Sequence, residues 1–269
     1  MMRIDAHVHM GSCEENQADF LRRLDSAEVG RANVFSVSPL DDLDNNWEKR
    51  LDGVLKLSKG TDRITPFFWI DPTENNAIEQ CDVAVKNGIA GFKCICSHFY
   101  PGDEKAVEVF RHIANLRKPL MFHSGILWDG VNASGKFNRP CNFEELFSIR
   151  GLRFSLAHIG WPWTDECIAV YGKLSNYRRS HPDAPEMFID LTPGTPATYR
   201  EQAFIHLFCN GFDIENNVFM GTDSVVSAYN DEGSARRIFG MDEEIFRKLR
   251  FTAEQRKKIL SDNFNRFLG

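Results

Sequence analysis

The sequence has fewer positively charged than negatively charged residues and no long apolar segment. Its 32 Lys and Arg residues are outnumbered by 38 Asp and Glu residues, which gives a net charge of −6 across 269 residues. A chain of this sign has no basic field that would attract nucleic acid. No run of about 18 apolar residues occurs, and the start lacks a charged leader followed by an apolar region. We therefore expect a cytoplasmic protein that binds neither nucleic acid nor membranes.

Several common catalytic and structural motifs are also missing. The seven cysteines are an odd number, scattered without a framework, which favours reduced core residues over disulfides. No paired C-x-x-C is present, which argues against a structural zinc ribbon. No G-x-S-x-G elbow and no G-x-G-x-x-G turn occur, so neither a serine hydrolase nor a dinucleotide-binding fold is indicated.

What the chain does contain is a regular alternation of short apolar runs and helical patterns. Eight such runs recur at a spacing of about 30 residues, the rhythm of βα units. The pattern predicts an α/β protein with a single (β/α)8 barrel spanning residues 1–269. Thr252 and Gln255 in the last part fit a helix capping box. The predicted strands are 4–9, 33–38, 64–70, 89–95, 119–123, 154–158, 187–191 and 217–223.

The first predicted strand ends in a His-x-His pair. Strand side chains alternate between faces, so His7 and His9 point the same way and Val8 points to the other side. Two adjacent imidazoles suit a metal ion such as zinc. Two neighbouring histidines alone are a weak signal, because most such pairs bind nothing.

Further polar residues stand at the ends of other predicted strands. Lys93 lies in the fourth, His123 and His158 end the fifth and sixth, and Asp223 ends the eighth. In a (β/α)8 barrel the carboxyl ends of all strands meet on one face, where the active site lies. Four histidines and an aspartate on one rim favour a metal site over buried histidines that serve only packing.

Short motifs along almost the whole chain resemble the amidohydrolase superfamily. The similarity is to its amidohydrolase-related branch, which includes decarboxylases of the aminocarboxymuconate-semialdehyde type and dicarboxylate lactonases. Each motif is short, but together and in this order they are specific. The motifs are IDAHVH (4–9), GFK (91–93), FHS (122–124), LAHIG (156–160), GTDS (221–224) and NFNRFL (263–268).

The resemblance implies a metal-dependent enzyme. It implies that His7, His9, His123 and Asp223 bind one divalent ion, with His158 as a nearby polarising or acid–base group. Asp223 would also be catalytic, because it would accept a proton from water activated by the metal. The nitrogen-rich ligand set favours zinc, while manganese or iron stays open.

Lys93 has three interpretations. In two-metal branches of the superfamily a lysine on strand four is carboxylated and bridges the ions. In the branch matched here a basic residue at this position meets an anionic substrate, which is the interpretation we favour. The third is a lysine that merely extends to solvent.

The loops suggest a ligand. Aromatic residues and cations follow several of the predicted strands, a combination that fits a small, planar carboxylate. The candidate substrate-binding residues are Lys93, Trp128, Trp161, Trp163 and Arg139, with Lys136 and Arg200 as further cations on these loops.

These observations predict a hydrolase that cleaves a small carboxylate-bearing amide, ester or lactone. The first alternative is a non-oxidative, metal-dependent decarboxylase of a small unsaturated or aromatic acid. The second is a catalytically silent barrel that binds a ligand. The expected partner is a small, anionic substrate, and a homodimer is an open possibility because barrels of this type often pair.

Overall fold

A computed structural model describes residues 2–41, 46–209 and 211–269. Short strands alternate with helices in the order expected from the sequence, and all strand pairs are parallel. The strands are β1 Ile4–His9, β2 Arg31–Phe35, β3 Ile64–Trp69, β4 Gly91–Cys94, β5 Leu120–Phe122, β6 Arg153–Leu156, β7 Glu186–Asp190, β8 Val218–Phe219 and β9 Ser224–Val225.

Helices follow most of the strands and surround the sheet. Their buried faces carry apolar residues at helical spacing, which pack against the outer side of the strands. The helices are α1 Gln17–Ser26, α2 Trp47–Ser58, α3 Ala77–Lys86, α4 Glu104–Asn115, α5 Thr164–Arg178, α6 Ala197–Cys209, α7 Ser234–Lys248, α8 Ala253–Lys257 and α9 Asn263–Leu268.

The chain forms two short strands where the sequence predicted one at 217–223. β8 lies within that range, β9 begins just after it, and together they close the barrel. β8 pairs with β7, while β9 pairs with β1, so the sheet order runs from β8 down to β1 and then β9. Between them, the Ala6 N–H donates to the Met220 carbonyl at 2.9 Å, and the Asp223 N–H donates to the His7 carbonyl at 2.9 Å. The predicted (β/α)8 barrel is therefore confirmed, with an interruption where Asp223 leaves the strand.

The last helix covers one end of the barrel. Phe264 and Phe267 of α9 pack inside the barrel against Phe219, at ring-centroid distances of 5.5 and 5.2 Å. Arg153, which starts β6, donates to the Leu268 carbonyl at 3.0 Å, so α9 lies at the amino ends of the strands. The opposite end, where the strands finish, is left to the candidate site.

The helical tail matches its sequence signals. Thr252 accepts a hydrogen bond from the Gln255 N–H, and the Gln255 side chain accepts one from the Thr252 N–H, which confirms the predicted capping box. Within the described ranges, no helix has the length and apolar character that a membrane crossing requires.

Candidate active site

A cavity of about 250 Å³ opens at the carboxyl ends of the strands. Its floor is polar and its walls are largely apolar, the usual composition of a small-molecule site. The polar lining residues are His7, His9, Lys93, His123, Ser124, His158 and Asp223, and the apolar ones include Ile95, Ile126, Leu127, Trp128, Trp161 and Pro193.

Three of these side chains converge on one point. The Nε2 atoms of His7 and His9 are 3.1 Å apart, and Asp223 Oδ1 lies 3.0 Å from His9 Nε2 and 3.4 Å from His7 Nε2. Ligands held by zinc at its usual bond lengths in a tetrahedron stand about 3.3 Å apart. The three atoms are therefore spaced as ligands of one ion, and these residues could hold a metal.

His7 is oriented by Asp190, a residue that the sequence reasoning missed. His7 Nδ1 donates to Asp190 Oδ2 at 2.6 Å, and both side chains are buried. Because the proton is on Nδ1, Nε2 of a neutral His7 carries a lone pair that faces the cluster. Burial, followed by the Lys93 ammonium, lowers the pKa of His7 well below its ordinary value, which keeps the imidazole neutral. Asp190 was overlooked because the predicted seventh strand, 187–191, ends one residue later, at Leu191.

Asp223 owes its position to a turn held by Asp5. Asp5 accepts hydrogen bonds from the N–H groups of His7 and Thr222 at 3.1 and 3.0 Å, and from the Thr222 and Tyr229 hydroxyls at 2.6 and 2.9 Å. The buried carboxylate thereby ties β1 to the segment that precedes Asp223.

The conformation and charge of Asp223 are both unusual. Its backbone adopts a φ of 60°, a left-handed value that aspartate tolerates better than most residues. Its side chain, 36% exposed, faces the cavity. The surrounding protein opposes ionisation, but the His9 hydrogen bond and then nearby His7 and His158 hold the pKa of Asp223 well below its usual range. The carboxylate is therefore ionised near neutral pH.

His158 is held with one nitrogen directed to the backbone. Its Nδ1 lies 3.3 Å from the Thr192 carbonyl oxygen, to which it can only donate. Burial lowers the pKa of His158, so its neutral form leaves Nε2 as an acceptor. A Cβ at Gly194 would stand 2.7 Å from the His158 ring, so glycine is needed there for the ring to fit. The φ of 62° at His158 marks a second strained residue in this site.

Lys93 is buried beneath the cluster. Its side chain is 1% exposed, and Nζ lies 3.3 Å from His7 Nε2, between the faces of Phe35 and Trp69. The interpretation as a lysine that extends to solvent is therefore wrong. Burial lowers the pKa of Lys93 to about 8, so the protonated and the neutral amine are both accessible near neutral pH.

His123 lines the cavity but does not join the three converging atoms. Its Nε2 lies 3.2 Å from the Ile126 carbonyl oxygen, and its ring centroid is 4.9 Å from that of His158. Burial and then the neighbouring His158 lower the pKa of His123 well below its ordinary value. Its predicted role as a fourth ligand stays a prediction, since Nε2 must leave that carbonyl to bind an ion.

The predicted substrate-binding residues divide into two groups. Lys93, Trp128 and Trp161 line the cavity, whereas Trp163 and Arg139 are not among its lining residues. The Arg139 Nε donates to Glu166 at 2.9 Å, and the guanidinium lies 5.4 Å above the Trp163 ring. These two residues stabilise each other outside the cavity, so their predicted contact with substrate is not supported.

Arg200 is a further correction. The sequence reasoning placed it on a loop as a cation for substrate, but it lies in α6, fully buried. Its Nη2 donates to Asp242 Oδ2 at 2.6 Å and to the Leu191 carbonyl. The Pro and Gly residues at 193–196 predicted a longer loop after β7, whereas α6 begins directly after them, at Ala197.

Comparisons with known proteins do not identify a family from the sequence. No protein-family model matches the chain, and no curated protein matches it.

Solved structures share the fold. One of them, from Staphylococcus aureus, is assigned as an amidohydrolase. It has 13% sequence identity to this chain and a TM-score of 0.68, with 100% of both chains covered. A 2,6-dihydroxybenzoate decarboxylase bound to 2,6-dihydroxybenzoate has 12% identity and a TM-score of 0.67, over 100% of this chain and 98% of that one.

A third similar structure, from Acinetobacter baumannii, is assigned as a 2-pyrone-4,6-dicarboxylic acid hydrolase and contains citric acid. It has 13% identity and a TM-score of 0.66, with 100% of both chains covered. These structures are the hydrolases and decarboxylases to which the sequence motifs pointed. Because their sequence identity to this chain is only 12–13%, the similarity shows a shared barrel fold.

Proposed function

We propose that this chain is a metal-dependent hydrolase of a small carboxylate-bearing amide, ester or lactone. The observation that carries the proposal is the convergence of His7 Nε2, His9 Nε2 and Asp223 Oδ1 within 3.0–3.4 Å at the floor of a cavity. Two imidazoles and a carboxylate at this spacing are a donor set for a divalent ion.

His7, His9 and Asp223 would hold the ion, and His123 is the candidate for a fourth ligand. When bound, a divalent ion supplies a Lewis acid that lowers the pKa of water and polarises a substrate oxygen. The nitrogen-rich donor set supports zinc as the proposed ion. Asp190 would act through His7, because its hydrogen bond fixes the tautomer and the ring orientation.

Proton transfer is proposed for Asp223 and His158. Asp223 faces the cavity as a carboxylate, so it can take a proton from the attacking water as the new C–O bond forms. It can then return that proton to the leaving oxygen or nitrogen as the old bond breaks. His158 offers Nε2 as an acceptor, because Nδ1 is directed at the Thr192 carbonyl. This tautomer supports an acid–base role for His158 over a purely polarising one.

Lys93 would bind the negative charge of the substrate. An ammonium buried at 3.3 Å from His7 Nε2 is within reach of a carboxylate or a developing oxyanion at the cavity floor. Buried charges of this kind interact strongly because little water screens them. The neutral amine would instead be needed for carboxylation, which is the two-metal alternative.

A decarboxylase is the second candidate. It is supported by the structural similarity to a decarboxylase of a small aromatic acid over the whole chain, and by apolar walls that would exclude water around a carbanion. In that reaction the C–C bond to the carboxylate breaks, carbon dioxide leaves, and the carbanion takes one proton. Lys93, whose ammonium form is accessible near neutral pH, is the group placed to supply it.

The two candidates are separated by the proton balance of the reaction. We would incubate the zinc-loaded protein near pH 8 with panels of small dicarboxylic lactones, esters and amides, and of hydroxybenzoic acids. A pH indicator, an amine assay for the amides and an assay for carbon dioxide plus bicarbonate would be read together. Hydrolysis releases a proton from a lactone or ester, or an amine from an amide, and no carbon dioxide, which is the expected result. Release of carbon dioxide or bicarbonate without net proton release would establish the decarboxylase instead.

Replacing Asp190 with asparagine is expected to weaken zinc binding by about 10- to 100-fold, the usual effect of losing a carboxylate behind a ligating histidine. The amide is uncharged and accepts the His7 proton less strongly. Affinity would be measured by competition with a chromophoric chelator. Asp183→Asn, at an exposed carboxylate, is the matched control. Unchanged affinity in Asp190→Asn would show that His7 does not ligate through Nε2.

A further inference from the structure

A larger space adjoins the catalytic cavity. This outer chamber has a volume of about 790 Å³ and lies between the loops after β2, β4 and β5. It shares the lining residues Ile95, Leu127 and Trp128 with the catalytic cavity, so the two spaces meet at these three side chains.

The sizes of the two spaces suggest a division of roles. Sites for small molecules usually enclose about 300–1,000 Å³. The catalytic cavity, at about 250 Å³, falls below that range and suits only the reacting end of a ligand. The outer chamber, at about 790 Å³, is large enough for a second part of the same molecule.

The chamber begins next to the cluster and has aromatic walls. The Trp69 ring lines the chamber, and its centroid is 5.3 Å from that of His9. Trp128, at the junction, is 83% exposed, although a side chain of this size is normally covered. Phe137 lies further out. A planar, apolar arm that leaves the catalytic cavity would contact these rings in turn.

The charges of the chamber argue against an anionic arm. Its lining includes the carboxylates of Asp41 and Asp129 against the single ammonium of Lys136, which stands 4.8 Å above the Phe137 ring.

We propose that the outer chamber is a substrate subsite, and that the substrate is a carboxylic acid carrying an uncharged, aromatic arm. The carboxylate end would lie at the cluster, and the arm would pass Trp128 into the chamber. The inference rests on the proposed function for the position of the carboxylate, but the chamber itself is tested separately.

The test compares two acids that differ only in the arm. Benzoate and 4-benzamidobenzoate would be titrated into the zinc-loaded, full-length protein by calorimetry. We expect 4-benzamidobenzoate to bind at least about 10-fold more tightly, because its second ring would be buried against aromatic side chains. Ala133→Trp, which fills the chamber from its wall, is expected to reduce this ratio to less than about 3-fold. Val131→Trp, on the same loop but not among the lining residues, should leave the ratio intact.

Each outcome decides the proposal. Equal binding of the two acids, no binding of either, or a ratio that survives Ala133→Trp would overturn the chamber as a subsite. The proposed function is read from a different quantity, the loss of benzoate affinity when zinc is removed. If benzoate binds equally well without zinc, the proposed function is contradicted. The ratio of the affinities of the two acids would still test whether the chamber is a subsite.

Discussion

Asp223→Asn is expected to lower kcat by about 10²- to 10⁴-fold, the contribution usual for a positioned acid–base group. Asparagine keeps the shape of the side chain and an oxygen that can face an ion, but it cannot take a proton from water. It also tolerates the left-handed φ of 60° at this position, so the fold should be unaffected. The effect is therefore one on the chemical step, and KM should change much less than kcat.

The measurement is steady-state kinetics on the first substrate found by proton release, with zinc content determined on the same samples. Asp231→Asn is the control, because it removes an exposed carboxylate in the same part of the chain that pairs with Arg23. Surface changes of this kind usually alter stability by no more than about 0.5 kcal/mol. Full activity in Asp223→Asn would overturn the proposed proton path, because the reaction would then proceed without a carboxylate at this position.

Arg200→Met is expected to destabilise the protein by about 3–5 kcal/mol, because it leaves the buried carboxylate of Asp242 without its partner. The pair also supports the site. Arg200 donates to the carbonyl of Leu191, which stands in the chain between Asp190 and Thr192. The Asp190 carboxylate in turn accepts the hydrogen bond from His7. We therefore expect the variant to lose zinc affinity as well as stability.

The double variant Arg200→Met/Asp242→Leu provides the matched comparison. Replacing both members of a buried ion pair with apolar side chains is often neutral or stabilising by about 1–4 kcal/mol. Arg200 Nη1 has no hydrogen-bond partner among the described residues, which makes this pair a good candidate for such a replacement. The free energies would come from urea denaturation. A double variant as unstable as Arg200→Met would mean that the hydrogen bond to Leu191 matters more than charge pairing.

The sequence predicted the barrel because its signal is local and repeated. Each strand is a short apolar run, and the residue at its end can be recognised from the sequence without knowing which residues lie beside it in the fold. His7, His9, His158 and Asp223 follow from that rule, and the structure places all four around one cavity. Asp190 escaped it because β7 ends at Asp190 in the structure, one residue before the predicted end of that strand.

Contacts between loops could not be predicted in the same way. Arg139 has the charge of a substrate-binding residue, yet it pairs with Glu166, 27 positions later in the chain. Arg200 was assigned to a loop, but its position in α6 buries it against Asp242. The partner of a loop side chain depends on how distant segments pack, and the composition of the loops does not predict that packing.

The metal content of the purified protein tests the central claim most directly. The chain would be purified without chelators, reconstituted with zinc, desalted and measured by elemental analysis, beside a His7→Ala/His9→Ala variant whose fold is checked by circular dichroism. We predict about one zinc per chain in the natural sequence and almost none in the variant, as expected for one site built on these two ligands. About two ions per chain would favour a carboxylated Lys93 that bridges them. A folded protein that retains no ion after reconstitution would contradict the metal-dependent mechanism.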